Sequence, residues 1–222
     1  MNRDQDCKNL IVLLGIDGSG KTTILMKLKE MGFCVSSWKL LDSTPNQALY
    51  GSSEFSTIQY IRGLPHGNYV DNLGPFSRAA FILSLIFAEY EFIIRPHLDA
   101  HRQVITDTYY IRPLAKELVR KKSSLTVIKS LTQLPHPRLV VYLRITPETA
   151  FYRKRGKVSQ HEVVHEKTLS DFVSFQTSVD KMCKKLIKGM NIVSIDASKS
   201  VDEIVDQIVS LLEEIKCQRK MA

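Results

Sequence analysis

The chain has 222 residues, of which 31 are Lys or Arg and 23 Asp or Glu, giving a formal net charge of +8; 44 % are hydrophobic and 24 % charged. That balance excludes a disordered or fibrous chain, and the length supports a sizeable core without disulfide staples. The cysteines (Cys7, Cys34, Cys183, Cys217) are scattered with no C-x-x-C pair, which predicts reduced thiols in a cytoplasmic protein. The start, Met1 to Lys8, is polar, and the longest apolar region, Ala79 to Ala88, spans about half of the ~20 residues a membrane helix needs, so no membrane association is expected. The positive charge fits polyanionic ligands, either nucleotides or nucleic acid, with a solvated basic surface as the plainer account.

Asn9 to Ile16 is a near-continuous apolar run, the pattern of a strand buried on both faces. The spacing of Ile24, Leu25 and Leu28 predicts a helix over Lys21 to Met31, with Gly32 just past its end. Phe33 to Leu41 is a second predicted strand. Asp42 to Gly74, rich in Ser, Gly, Asn and Pro, supports no assignment, and loops of that length inside a domain are usually functional. A long buried helix is predicted over Phe76 to Arg95, with Pro96 near its end, followed by a short strand, Gln103 to Asp107, that ends in a carboxylate. Helical patterns cover Arg112 to Lys122 and Leu125 to Leu134. Arg138 to Ile145 is another strand, and Pro147 opens a helix at its favoured first position. Arg153 to Lys157 is a basic break. Leu169 to Lys188 is helical, Asn191 to Asp196 is a last strand, and Val201 to Ile215 is an amphipathic closing helix. Strands alternating with helices imply right-handed crossovers and a parallel sheet covered on both faces. With no repeat, low-complexity tract or linker, residues 1–222 are expected to form a single α/β domain.

Gly15-Ile16-Asp17-Gly18-Ser19-Gly20-Lys21-Thr22 matches G-x-x-x-x-G-K-[ST] in full. Glycines let successive N–H groups curl round phosphates, and the helix that follows adds its positive dipole end. Lys21 is placed to reach β- and γ-phosphates, and the Thr22 hydroxyl to ligate Mg²⁺. A chance glycine turn would give the same letters, but a buried strand before and a helix after favour a nucleotide-phosphate loop. Asp107, at the end of its strand, is the natural second metal-side carboxylate, because strand C-termini gather at the ligand crevice of an open parallel sheet. Its plain alternative is an Asp capping a turn.

The run from Gly15 to Thr23, including the acid Asp17, resembles the phosphate loop of thymidylate kinases. The resemblance continues through Ile94-Arg95-Pro96, Val104-Ile105-Thr106-Asp107, Val140-Val141-Tyr142-Leu143, Pro147-Glu148, Arg153-Lys154-Arg155-Gly156 and Ile195-Asp196-Ala197-Ser198, over roughly two thirds of the chain in the right order. It implies a P-loop NTPase fold: a five-stranded parallel sheet with helices on both faces and a small basic lid at about residues 153–166. It further implies γ-phosphoryl transfer from ATP with Mg²⁺ to a nucleoside monophosphate, thymidine monophosphate first. By resemblance, Gly15, Asp17, Gly18, Ser19, Gly20, Lys21, Thr22 and Thr23 form the ATP site, and Ala197 borders the adenine. Thr22 and Asp107 attend the metal, Arg153 and Arg155 close over the transferring phosphate, and Asp17 faces the acceptor's sugar. The family also suggests a homodimer. A basic, water-excluding lid suits phosphoryl transfer, which needs charge neutralisation more than covalent catalysis. A solvated basic surface run is the other account of Arg153 to Lys157.

Departures cluster on the acceptor side. The family's Arg-Glu-Pro loop is replaced by Trp38-Lys39-Leu40-Leu41-Asp42, and its Asp-Arg-Tyr triplet by Asp107-Thr108-Tyr109, which loses a phosphate-binding arginine. Where the family has an aromatic and then an Arg, this chain has Phe87-Ala88-Glu89-Tyr90-Glu91. Arg78, Arg95 or Arg112 are candidates to substitute. Arg78, Phe87, Tyr90 and Tyr109 are therefore acceptor candidates alongside Asp17, with core packing the commoner use of Phe87 and Tyr90 in so apolar a helix.

His161-Glu162-Val163-Val164-His165 spells H-E-x-x-H, a zinc signature when it lies on a helix. It falls where the lid belongs and has no third ligand beside it, so a solvated lid helix is the expectation. Three functions stay open: a thymidylate-kinase-type enzyme, a kinase of the same fold with a different small acceptor, and a catalytically weak nucleotide-binding protein. Nucleic acid is a weaker partner, since no nucleic-acid module is present.

Overall fold

The computed structural model describes residues 9–37, 73–107 and 109–220. Five parallel strands, β1 (Leu10–Leu14), β2 (Cys34–Ser36), β3 (Val104–Thr106), β4 (Leu139–Arg144) and β5 (Ile192–Asp196), pair in the order β2-β3-β1-β4-β5. The helices are α1 (Lys21–Glu30), α2 (Pro75–Glu89), α3 (Arg95–Asp99), α4 (Ile111–Arg120), α5 (Leu125–Ile128), α6 (Pro147–Arg153), α7 (Leu169–Leu186) and α8 (Val201–Lys220).

Alternation along buried strands sorts the core into two layers. Leu10, Val12 and Leu14 of β1, with Val104, Val140 and Tyr142, pack on the side of α2, α4 and α7. Ile11 and Leu13, with Ile105, Val141, Leu143 and Ile195, meet Ile24, Leu25 and Leu28 of α1 and Ile204, Val205, Ile208 and Leu212 of α8. The residues on α1 and α8 recur at helical spacing, which is why those two helices cover one face. A smaller cluster of Ile16, Ala150, Val158, Val163 and Phe172 fastens the stretch after α6 to the turn following β1.

The strands and most helices lie where the sequence places them, with three differences. The helix predicted to finish at Arg95 continues: α2 passes through a π turn, Tyr90–Ile94, directly into α3. Pro96 is tolerated because it occupies the first turn of α3, where its missing N–H is no loss. The helix predicted over Leu125 to Leu134 is α5 followed by a 3₁₀ turn, Lys129–Gln133. The H-E-x-x-H segment is no helix: Gln160–Glu162 is a 3₁₀ turn, and Val163 is extended. Asp42 to Gly74 lies outside the described residues up to position 72, as do Trp38 to Asp42 and Thr108.

No described helix is long and apolar enough to cross a membrane.

Candidate active site

The loop after β1 and Asp107 after β3 come together because β1 and β3 are neighbours, with Leu10 opposite Val104 and Val12 opposite Thr106. β4 flanks β1 on the other side, so the crevice opens at the carboxyl ends of strands that run to either side of β1. There a cleft of about 610 Å³ is lined by Asp17 through Ile24, Asp107, Arg112, Arg153, Lys154, Glu162, Lys199, Ser200, Val201 and Ile204.

The glycines fit close quarters. Gly18 has φ +85°, and a Cβ there would lie 2.7 Å from the Ala150 carbonyl oxygen of α6. A Cβ on Gly15 would meet Ser19 Oγ at 2.8 Å and the Leu143 carbonyl oxygen at 2.9 Å. Gly20, φ +90°, precedes the first turn of α1, and its carbonyl accepts from Ile24 N–H. Lys21 folds back onto its own loop, donating to the Gly15 and Ile16 carbonyls at 2.8 and 2.7 Å and to Ser19 Oγ at 3.1 Å. Thr22 and Thr23 line the cleft one step further along α1.

Asp17 is the centre of a buried polar network. Its carboxylate pairs with Arg112 and with Lys116 Nζ at 2.8 Å, both from α4. Gln176 of α7, fully buried, accepts from Asp17 N–H and donates to Asp17 Oδ2, each at 3.0 Å, and also donates to the Glu162 carbonyl. Burial, then the neighbouring Arg112 and Arg120, press the Lys116 ammonium well below the ordinary lysine pKa. The nearby Asp17 carboxylate favours its charged form.

The basic segment after α6 is anchored at several points. Arg153 donates to the carbonyls of Ala197 and Ser198 at 2.6 and 3.2 Å, so it joins α6 to the loop that follows β5. Lys154 pairs with Glu162 at 3.0 Å. Burial pushes the Glu162 carboxyl up, but the Ser159 N–H and Lys154 outweigh it and leave the pKa below the usual value. Lys116 and Arg120 donate to the carbonyls of His161 and Val163. Asp171 receives the N–H groups of Val164, His165 and Glu166, closing the segment onto the start of α7.

The donor-side expectations meet at one cleft: Asp17, Gly18, Ser19, Gly20, Lys21, Thr22, Thr23, Asp107 and Arg153 all line it. Gly15 and the fully buried Ala197 stand behind it and shape it through close backbone contacts. Arg155, at φ +51°, is exposed and is not among the lining residues.

Of the acceptor candidates, Asp17 lines the cleft, and Arg78, Phe87, Tyr90 and Tyr109 do not. Arg78 turns inward: its Nε and Nη2 grip the Glu117 carboxylate at 2.6 and 2.7 Å, with both side chains almost fully buried. Tyr90 and Tyr109 sit in the core among Tyr110, Ile94 and Leu98, and Tyr109 donates its hydroxyl proton to the Pro135 carbonyl. Phe87 packs against the same core. These aromatics pack against the apolar layer that holds Leu10, Val12, Leu14, Val104 and Val140. Arg95 pairs with Glu91 and Asp99 on its own helical stretch and is not at the cleft. Arg112, of the three candidate arginines, is the one that lines it. Lys116 and Gln176 carried no motif; the one available signal was that Arg112 and Lys116 stand four residues apart, on one helix face.

The oxygen donors on the cleft suit a hard cation. The Thr22 hydroxyl and the Asp107 carboxylate both line the cleft, and such oxygen donors could hold Mg²⁺ together with waters and substrate phosphates. Among the described residues no group of three or more His, Cys, Asp or Glu is placed to hold a metal ion alone, so the zinc reading of His161 and His165 has no ligand set there.

The family model for thymidylate kinase matches residues 72–208, more than half of the chain. The chain belongs to the thymidylate kinase family. It is accordingly a nucleotide kinase, a phosphotransferase. The thymidylate kinase of Legionella pneumophila is 25 % identical over 211 residues, covering 92 % of this chain and 94 % of that protein. That of Prochlorococcus marinus is 29 % identical over 213 residues, with coverage of 91 % and 94 %. Among solved structures, a deoxyadenosine kinase from M. mycoides with bound dCTP superposes with a TM-score of 0.56 at 15 % identity, covering 92 % of this chain and 99 % of that one. That superposition supports the fold of the family.

Proposed function

We propose that this cleft transfers the γ-phosphoryl group of ATP to a nucleoside monophosphate, with thymidine monophosphate the first acceptor to test. The observation that carries the reading is the meeting of a complete phosphate loop, a strand-end carboxylate and a basic segment around one cavity. The N–H groups of the loop cradle the triphosphate, and the α1 dipole favours its charge. Lys21 exchanges its carbonyl partners for phosphate oxygens, which adds a positive charge where negative charge builds in transfer. The Thr22 hydroxyl and Asp107 carboxylate would hold Mg²⁺, which would supply charge neutralisation. Arg153 ties the adenine-bordering loop at Ala197 to the lid, and Arg155 closes from the exposed side. Asp17, held by α4 and α7, orients the acceptor's sugar. All of this falls within one P-loop kinase-like domain, which we place in the cytoplasm.

A second reading, a kinase for another small acceptor, is favoured by one observation: the acceptor-side aromatics and Arg78 are spent on the core. A single experiment separates the readings. Calorimetry with ATP and Mg²⁺ is expected to register binding, and coupled assays over a panel of nucleoside monophosphates and nucleosides to show turnover of thymidine monophosphate. Turnover of a different acceptor selects the second reading. Absence of ATP binding removes both.

A further inference from the structure

Arg112 differs from Lys21, Arg153, Lys154 and Lys116 in how its donors are used. Lys21 is taken up by the carbonyls of its own loop, and Arg153 by those of Ala197 and Ser198. Lys154 is paired with Glu162, and Lys116 with Asp17 and the His161 carbonyl. Arg112 reaches Asp17 through Nη2, while its Nε is buried with no hydrogen-bond partner. A buried N–H without an acceptor is costly and uncommon in folded proteins. On a guanidinium that lines a phosphate-binding cleft, it marks the place of an anion. The planar edge formed by Nε and a terminal nitrogen matches two oxygens of one phosphate.

Asp17 does not depend on Arg112 for neutralisation. Lys116 lies 2.8 Å from its carboxylate, and Gln176 donates to it at 3.0 Å. Arg112 is thus able to leave without stranding a buried charge. The Arg78–Glu117 pair is built the other way: that arginine commits both Nε and Nη2 to one carboxylate, as a fixed strut does.

We propose that Arg112 binds the phosphate of the acceptor nucleotide, turning its Nε edge from Asp17 to that phosphate while Lys116 keeps Asp17 in place. The assignment rests on the cleft being a site for a nucleoside monophosphate. It supplies, from α4, a phosphate ligand four residues along the sequence from Thr108.

The test measures transfer from ATP to the best acceptor of the panel, together with calorimetric binding of that monophosphate and of its nucleoside. Arg112→Ala is expected to raise the acceptor KM about 100-fold and to leave the ATP KM within about twofold. The preference for monophosphate over nucleoside should fall by a similar factor. Arg112→Lys, which keeps a charge beside Asp17 but lacks the fork, is expected to lose about tenfold, and it decides the matter if the alanine variant does not fold. An acceptor KM that stays within about twofold of wild type overturns the proposal, as does an equal rise for ATP and acceptor, the mark of a purely structural pair. A wild-type enzyme that prefers nucleosides, or transfers to no monophosphate, overturns the functional reading itself. That failure is visible before any variant is made.

Discussion

Two regions of the molecule, the cleft and the packed seam between α2 and α4, handle charge in opposite ways. On the nucleotide side, Lys21 and Arg153 rest on main-chain carbonyls, partners that an incoming polyphosphate can displace at little cost. On the α2–α4 side, Arg78 is locked in a bidentate, fully buried pair with Glu117, and Ser123 adds a further hydrogen bond to the same carboxylate. Neutral acceptors leave a cation available to a ligand; a buried carboxylate that takes both Nε and Nη2 converts an arginine into structure. What holds an arginine is therefore a better guide to its work than its place in the sequence.

The largest effect expected from breaking this contrast is at Lys21. Lys21→Ala should reduce kcat by on the order of 10³-fold or more, because a charge that stabilises the transferring phosphoryl group is lost. Stability should change little, since the variant removes the cation and leaves carbonyls open to water in the cleft. Steady-state kinetics and thermal melting on one preparation check both halves; an active variant would remove the loop from the chemistry.

On the other side the expected loss is of stability. Arg78→Met leaves the Glu117 carboxylate buried without its main partner, at a cost of about 3–5 kcal/mol, read by urea unfolding. Burial alone raises the Glu117 pKa, but the hydrogen bonds from Arg78 and Ser123 and the charges of Arg78 and Arg120 bring it below the usual value. A carboxyl with a depressed folded pKa contributes stability above its unfolded value of about 4.3, and that contribution fades as the pH falls toward the folded pKa. The wild-type melting temperature should accordingly drop with acid below about pH 5, and the drop should be shallower in Glu117→Gln. Equal acid sensitivity in the two proteins would show that the pair does not carry it.

The smallest effect is expected at Tyr109. Tyr109→Phe forfeits the hydrogen bond to the Pro135 carbonyl, worth about 0.5–1.5 kcal/mol, and should leave acceptor KM unchanged. A raised KM would return Tyr109 to the acceptor site.

The centre of the sheet was legible in the sequence because β1 and β4 are buried on both faces and read as apolar runs. The phosphate loop was legible because backbone geometry confines its glycines. Gly18, with a positive φ and the Ala150 carbonyl against it, leaves no room for another residue. The role of Arg78 was hidden, because nothing local tells an arginine that will meet Glu117, 39 residues away, from one that will meet a phosphate. Gln176 was hidden for the same reason: its partner Asp17 is 159 residues distant, and the pairing exists only once α7 packs beside the loop. Long-range polar pairing has no period, so no periodicity could expose it.

The π turn between α2 and α3 has a consequence for the whole helical stretch. Its buried positions Ile86, Tyr90, Ile94 and Leu98 recur every four residues. In an unbroken α-helix each such step overshoots a full turn by about 40°, so the row would drift around the axis and Leu98 would face away from the sheet. The wider turn at Tyr90–Ile94 takes up that phase error. Removing one residue there would place Leu98 about three full α turns beyond Ile86, so an unbroken α-helix would keep the row in phase: the wide turn is how the helix houses one residue more than its apolar seam needs.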